Sequence, residues 1–163
     1  MIVVRYAYAL ALAVWLGGLA VLGGVVAPGL FGFLRTHEPA AGAALAGAIF
    51  GAILHPFVLV AGGAGAILLI SLIIMRLVGP RPVAFGARVA IVVVMLALTG
   101  YAGGPVAQQI TRLERAAPGG LTTLPADDAR RVAFERAHDM ASLLLVLTLA
   151  GALVLLYWEA RGD

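Results

Sequence analysis

The chain has 163 residues, of which 63% are hydrophobic and 12% charged, against roughly 25% charged in an average soluble domain. That composition, with a mean hydropathy of +1.06, excludes a soluble globular enzyme, a disordered tail and a small secreted scaffold. The absence of cysteine removes disulfide frameworks, thiolate metal sites and thiol catalysis, and the formal charge of +3 rests on arginines that flank apolar runs as membrane anchors do, so it reads as topology and not as a nucleic-acid surface.

The first uncharged run, Tyr6 to Leu34, is about 29 residues long and exceeds the roughly 20 needed to cross the hydrocarbon core. Its apolar part is too long for a cleavable signal, so the span, about 6–27, is expected to stay. Pro28 lies beyond its centre, where it can kink or end the helix. The second run, Pro39 to Met75, holds His55 as its only ionisable group. It is too long for one span and too short for two, and Pro56 offers a division into a small-residue helix over 40–54 and a span over 57–77.

Arg76 to Pro82 reads as a tight turn, because Gly79, Pro80 and Pro82 oppose helix continuation. A third span follows over about 86–106 and continues out of the membrane with Val106, Ile110 and Leu113 on one side. Ala117-Pro-Gly-Gly120 is a loop, and Thr123 to Asp128 reads as a helix start with Pro125 and two acids in the first turn. The last helix crosses over about 140–158.

The pattern predicts an all-α fold: a polytopic integral membrane protein made of an antiparallel four-helix transmembrane bundle with helix extensions on one face. That extended face, or cap, covers about 35–55 and 107–138. The opposite, trimmed face carries both termini with Arg5, Arg76, Arg81, Arg88 and Arg161. Tyr6, Tyr8, Tyr157 and Trp158 are expected at the membrane interface on this side. The arginines close to span ends place the termini in the cytoplasm and the protein in the cell membrane as a multi-pass chain.

Small residues four apart permit close helix approach in lipid, which marks Gly17, Gly24, Gly47, Gly51, Gly100 and Gly104 as packing positions, within the bundle or toward a homo-oligomer or a larger membrane complex. All three histidines, His37, His55 and His138, fall on the cap. Gly47, Gly51 and His55 share one helical stripe, and Glu135 with His138 forms a Glu-x-x-His pair, a spacing used in helix-bundle metal sites. His138, Glu135 and His55 are therefore the candidate ligands of a metal ion. In the alternative reading Glu135 pairs with Arg131 and His138 makes an interhelical hydrogen bond. No catalytic constellation accompanies them: there is no phosphate loop and no Gly-x-Ser-x-Gly, and Ser71 and Ser142 lie within apolar runs.

Ala13-Val-Trp-Leu-Gly-Gly-Leu19, Ala27-Pro-Gly-Leu-Phe31, Ala46-Gly-Ala-Ile-Phe50 and Phe134-Glu-Arg-Ala-His138 together resemble an uncharacterised bacterial four-helix membrane domain related to eukaryotic transmembrane protein 205. The Trp-Leu-Gly-Gly segment is more loosely similar to copper-resistance D-type membrane domains. The resemblance implies a small polytopic protein connected with tolerance of platinum drugs, and through the looser likeness with copper or haem. Only His138, in the Phe-x-x-x-His motif, carries over by position.

The functional expectation is a non-enzymatic membrane protein, embedded in the lipid bilayer, that binds or passes a metal ion or small ligand at the cap. The alternatives are an accessory subunit of a larger membrane complex and a haem-binding electron carrier. No nucleic-acid partner is expected.

Overall fold

The computed structural model describes residues 2–38, 41–78, 84–117, 121 and 124–161. The expected architecture is what forms. Four helical rods, Ile2–His37, Gly42–Val78, Phe85–Arg115 and Ala129–Ala160, are each long and apolar enough to cross a membrane. At 1.5 Å per residue they run about 46–55 Å, against about 30 Å of hydrocarbon, so each has length to spare for the cap. The chain is an all-α, multi-pass membrane protein.

The first rod comprises α1 (Ile2–Val21), a five-residue π segment (Leu22–Val26) and α2 (Ala27–His37). The second is α3 (Gly42–Val78). The third comprises α4 (Phe85–Tyr101), a π segment (Ala102–Val106) and α5 (Ala107–Arg115), and the fourth is α6 (Ala129–Ala160). α1 packs on α3 and α6, and α4 packs on the same two helices, so the four form an antiparallel ring. Val3, Leu10, Leu59, Ile70, Val94 and Leu143 point outward from it, as lipid solvent requires.

Two expected boundaries move. Pro56 does not divide the second rod but sits inside an unbroken α3. A proline ring removes one backbone hydrogen bond, and contacts from neighbouring rods outweigh that loss along so long a helix. The last helix starts at Ala129 and not within 123–128: Asp128 has an extended backbone, and its side chain accepts a 2.8 Å hydrogen bond from the Arg130 amide, which is an N-cap. The turn expected at Gly79 to Pro82 and the loop at Pro118 to Gly120 lie outside the described residues, as do Arg81 and Thr123.

The glycines that pack the bundle are mostly not those expected. A Cβ at Gly17, Gly24, Gly51, Gly100 or Gly104 would meet open space, whereas Gly47 approaches the Glu114 carboxylate, with 3.1 Å between its ideal Cβ and Oε1. The close approaches occur elsewhere. Gly18 lies under Phe57, Gly65 under Leu96 and Trp15, Gly103 under Val58, and Gly42 against the Leu34 carbonyl where α2 gives way to α3. The i,i+4 spacing found small pairs but not the face turned inward, because in lipid both faces are apolar.

An internal repeat unites these elements. Gly23-Gly24-Val-Val-Ala27 and Gly103-Gly104-Pro-Val-Ala107 begin inside the two π segments, and a shift of about 80 residues maps one onto the other. The same shift carries the buried Tyr8, Leu12 and Trp15 onto the buried Arg88, Val92 and Met95. It also carries Ala64, Leu68, Leu72 and Met75 onto Leu144, Thr148, Ala152 and Leu155, all buried. Two two-helix units, each a broken rod followed by a continuous one, thus face each other around an axis along the bundle, as in parallel-repeat membrane folds. Tyr8 and Arg88 are the equivalent pair that puts a charge inside.

Candidate functional site: a buried arginine at the trimmed end

The cap distributes its polar groups outward. His55 and His138 are exposed, the His138 ring lies nearly parallel to Phe134 with 6.2 Å between centroids, and Glu135 accepts from Arg131 Nε at 2.9 Å. The carboxylate expected to ligate is therefore held one turn back along its own helix, as the alternative reading had it. His37 is exposed, stacks on Phe33 and donates through Nδ1 to the Phe33 carbonyl at 2.9 Å. Among the described residues no three of His, Asp and Glu converge on a point that could hold a metal ion. The donor set expected from helix spacing, His138, Glu135 and His55, is not assembled among the described residues.

Two cap carboxyls are nonetheless perturbed. The hydrogen bonds from the Arg130 side chain and backbone amide hold the Asp128 carboxyl down at about 2. Burial pushes the Glu114 carboxyl up, where it stands over Gly47 without a salt-bridge partner among the described residues.

The trimmed end is built the other way. The chain enters α4 through Ala84, whose φ of 55° is unusual for a residue with a side chain, and the Ala84 carbonyl accepts from the Arg88 amide at 2.9 Å. Arg88 then falls on the same stripe as Val92 and Met95, the i, i+4, i+7 face turned into the ring. Its side chain is only 2% exposed. Nη1 donates to Glu159 Oε2 on α6 at 3.1 Å, and the guanidinium lies 6.0 Å from the Trp158 ring centre. Arg5 of α1 approaches the other carboxylate oxygen at 3.6 Å. Tyr8 reaches the same place from α1.

This corrects one interfacial assignment. Tyr6 and Tyr157 are exposed as a membrane-interface belt requires, but Tyr8 is fully buried. Tyr8, Leu12, Trp15 and Leu19 form the core stripe of α1, so the helix phase that buries Trp15 also turns Tyr8 inward. Trp158 is partly buried and packs on the core edge.

The node is under-supplied with acceptors. Arg88 Nε and Nη2, the Tyr8 hydroxyl and, two turns deeper, Trp15 Nε1 are buried without a hydrogen-bond partner among the described residues. The Tyr8 hydroxyl lies beside the Arg88 guanidinium, close enough to accept from it after a small shift. Arginine and tryptophan only donate, and a phenol that faces an arginine must accept or turn away. Two arginines share one carboxylate, so the node carries an excess positive charge. In the sequence an arginine beside an apolar run reads as an exposed anchor; the spacing of Arg88 to Val92 and Met95 is the signal that marks it as buried.

Comparison with protein-family models, curated proteins and solved structures gives no match to this chain.

Proposed function

We propose that this is a non-enzymatic, multi-pass protein of the cell membrane, with both termini in the cytoplasm, that binds a small ligand or lipid through an anionic group at its trimmed end. The observation that carries the reading is Arg88: a guanidinium 2% exposed, bonded among the described residues through Nη1 alone, with Nε and Nη2 unpartnered there. A buried donor left unmatched costs about 1–3 kcal/mol, more when charged, and an ionisable group inside a membrane bundle is where function concentrates. The cytoplasmic assignment is supported by Arg5, Arg76, Arg88 and Arg161 at this end, with Glu159 the acid described beside them.

The binding is read as non-catalytic because the node holds no nucleophile paired with a base. Its chemistry is that of recognition: two forked cations, an aromatic wall and a phenol. The test is extraction of the protein directly into polymer-bounded discs of its own membrane, followed by mass analysis of what accompanies it. Wild type should retain one stoichiometric anionic compound per chain, and Arg88→Met with Glu159→Leu, which leaves no unpaired buried charge, should lose it while remaining folded. A wild-type protein that carries nothing the variant lacks would end this reading.

A further inference from the structure

We propose that the anionic group held at the trimmed end is the phosphate of an anionic membrane lipid, and that Glu159 is a resident carboxylate which the phosphate displaces from Arg5 and Arg88. The inference rests on the reading above and names its ligand class.

Glu159 fits the node poorly. It gives one oxygen to each arginine, Oε2 to Arg88 at 3.1 Å and Oε1 to Arg5 at 3.6 Å, and neither contact is the parallel fork that guanidinium and carboxylate prefer. Among the described residues Arg88 Nε and Nη2 are left over, and so is the Tyr8 hydroxyl. A tetrahedral phosphate offers acceptors in several directions, so it can take two donors from Arg88 and still face Arg5. Exchanging one anion for another keeps Arg88 neutralised throughout, and the large penalty of an uncompensated buried charge is not met.

Position selects the lipid as the source. The node lies where the ends of α1, α4 and α6 meet, one turn or less from the exposed Tyr6 and Tyr157, a residue type that favours the headgroup level. Exposure grades across it: the Arg5 side chain is 54% exposed, Glu159 20% and Arg88 2%. A headgroup arriving from the leaflet meets Arg5 first, then Glu159, and Arg88 last. Arg76 and Arg161, which lie over Phe85 and Tyr157, have no carboxylate partner among the described residues and add to the positive field that draws anionic lipid to this side. The exposed apolar side chains that surround the bundle leave the leaflet as the medium nearest to Arg5.

The experiment measures the thermal midpoint of the full chain in four vesicle preparations: phosphatidylcholine alone, the same with phosphatidylglycerol, the same with oleic acid, and the same with inorganic phosphate added. Phosphatidylglycerol should raise the wild-type midpoint by several degrees, and inorganic phosphate should not. Glu159→Gln removes the competitor, so half the maximal shift should need about tenfold less phosphatidylglycerol. Arg88→Gln should abolish the shift. Arg5→Gln, on the exposed side, keeps the buried pair and should weaken the response about threefold, which provides the reading if Arg88→Gln does not fold.

A midpoint indifferent to phosphatidylglycerol overturns the inference. So does a Glu159→Gln protein that loses stability equally in every vesicle with an unchanged lipid dependence, because Glu159 is then only a clasp. An equal shift from inorganic phosphate assigns the site to a free anion. A shift from oleic acid alone removes phosphate while leaving the anion-binding reading intact, and an empty disc analysis removes both.

Discussion

The two ends of the bundle handle charge in opposite ways. On the cap, ion pairs are local: Arg130 holds Asp128 two residues away and Arg131 holds Glu135 one turn away, with side chains 21–56% exposed. At the trimmed end there are fewer charges, and they join α1, α4 and α6 through one carboxylate, with a sequence separation of 71 residues between Arg88 and Glu159. A pair formed inside one helix and bathed in water contributes little to the tertiary fold. A pair formed between helices, with one partner out of water, fixes how the helices meet and is costly to break. Charge density is therefore a poor guide to which charges organise this fold; the scarce, buried pair is the informative one.

The largest expected break in this contrast comes from Arg88→Ala. Leaving Glu159 without its buried partner should cost about 3 kcal/mol or more, read as reversible unfolding in mixed detergent, whereas Arg88→Met with Glu159→Leu should recover most of it. The corresponding cut on the cap, Glu135→Ala, should change stability by less than about 0.5 kcal/mol. Equal losses at the two ends would erase the distinction.

Next in size are the glycines. Gly42→Ala drives a methyl into the Leu34 carbonyl and Gly65→Ala drives one toward Leu96 at 2.5 Å. Each should cost about 1–3 kcal/mol through overpacking. Gly17→Ala and Gly100→Ala meet open space and should be neutral or stabilising by up to about 1 kcal/mol, since alanine is the better helix former. The same unfolding assay ranks all four.

The smallest effects belong to pH on the cap and run in opposite directions. Asp128 has its carboxyl lowered to about 2 from 3.8, so its contribution is present above about pH 4 and is lost as pH falls toward 2. Asp128→Ala should therefore lower the thermal midpoint at neutral pH and converge with wild type in strong acid. Glu114 is raised by burial, so the stability it allows is full below 4.5 and declines as pH rises through its folded value. Glu114→Gln should raise the midpoint at pH 7, with the gain vanishing in acid. The reverse order for either variant would mean that its carboxyl is paired differently from the arrangement described.

Much of this was legible in residue order. The uncharged runs gave four spans, Ala117 onward separated the third from the fourth, and Arg131 with Glu135 was readable as a local pair because i,i+4 geometry belongs to any helix. The doubled Gly-Gly-x-Val-Ala signature was equally present in the sequence, although its meaning depended on seeing both copies inside π segments with the same buried stripe around them. What could not be read was the rotation of each helix about its axis. In water, the polar face declares which side is inside; in lipid, both sides are apolar and that signal disappears. From residue order alone, Tyr8 and Arg88 accordingly read as surface groups, and Gly17 and Gly100 as packing ones.

The sequence by itself determined that this polypeptide is a set of membrane-crossing helices with one polar cap, because solvent preference and span length are summed over whole segments and tolerate errors at single residues. Only the tertiary structure decided that an arginine enters the bundle, that Glu159 is shared between two helices facing α6, and that the cap histidines and carboxylates form no three-ligand cluster among the described residues. Those outcomes depend on helix phase and close approach, which one glycine or one bulky side chain can reset.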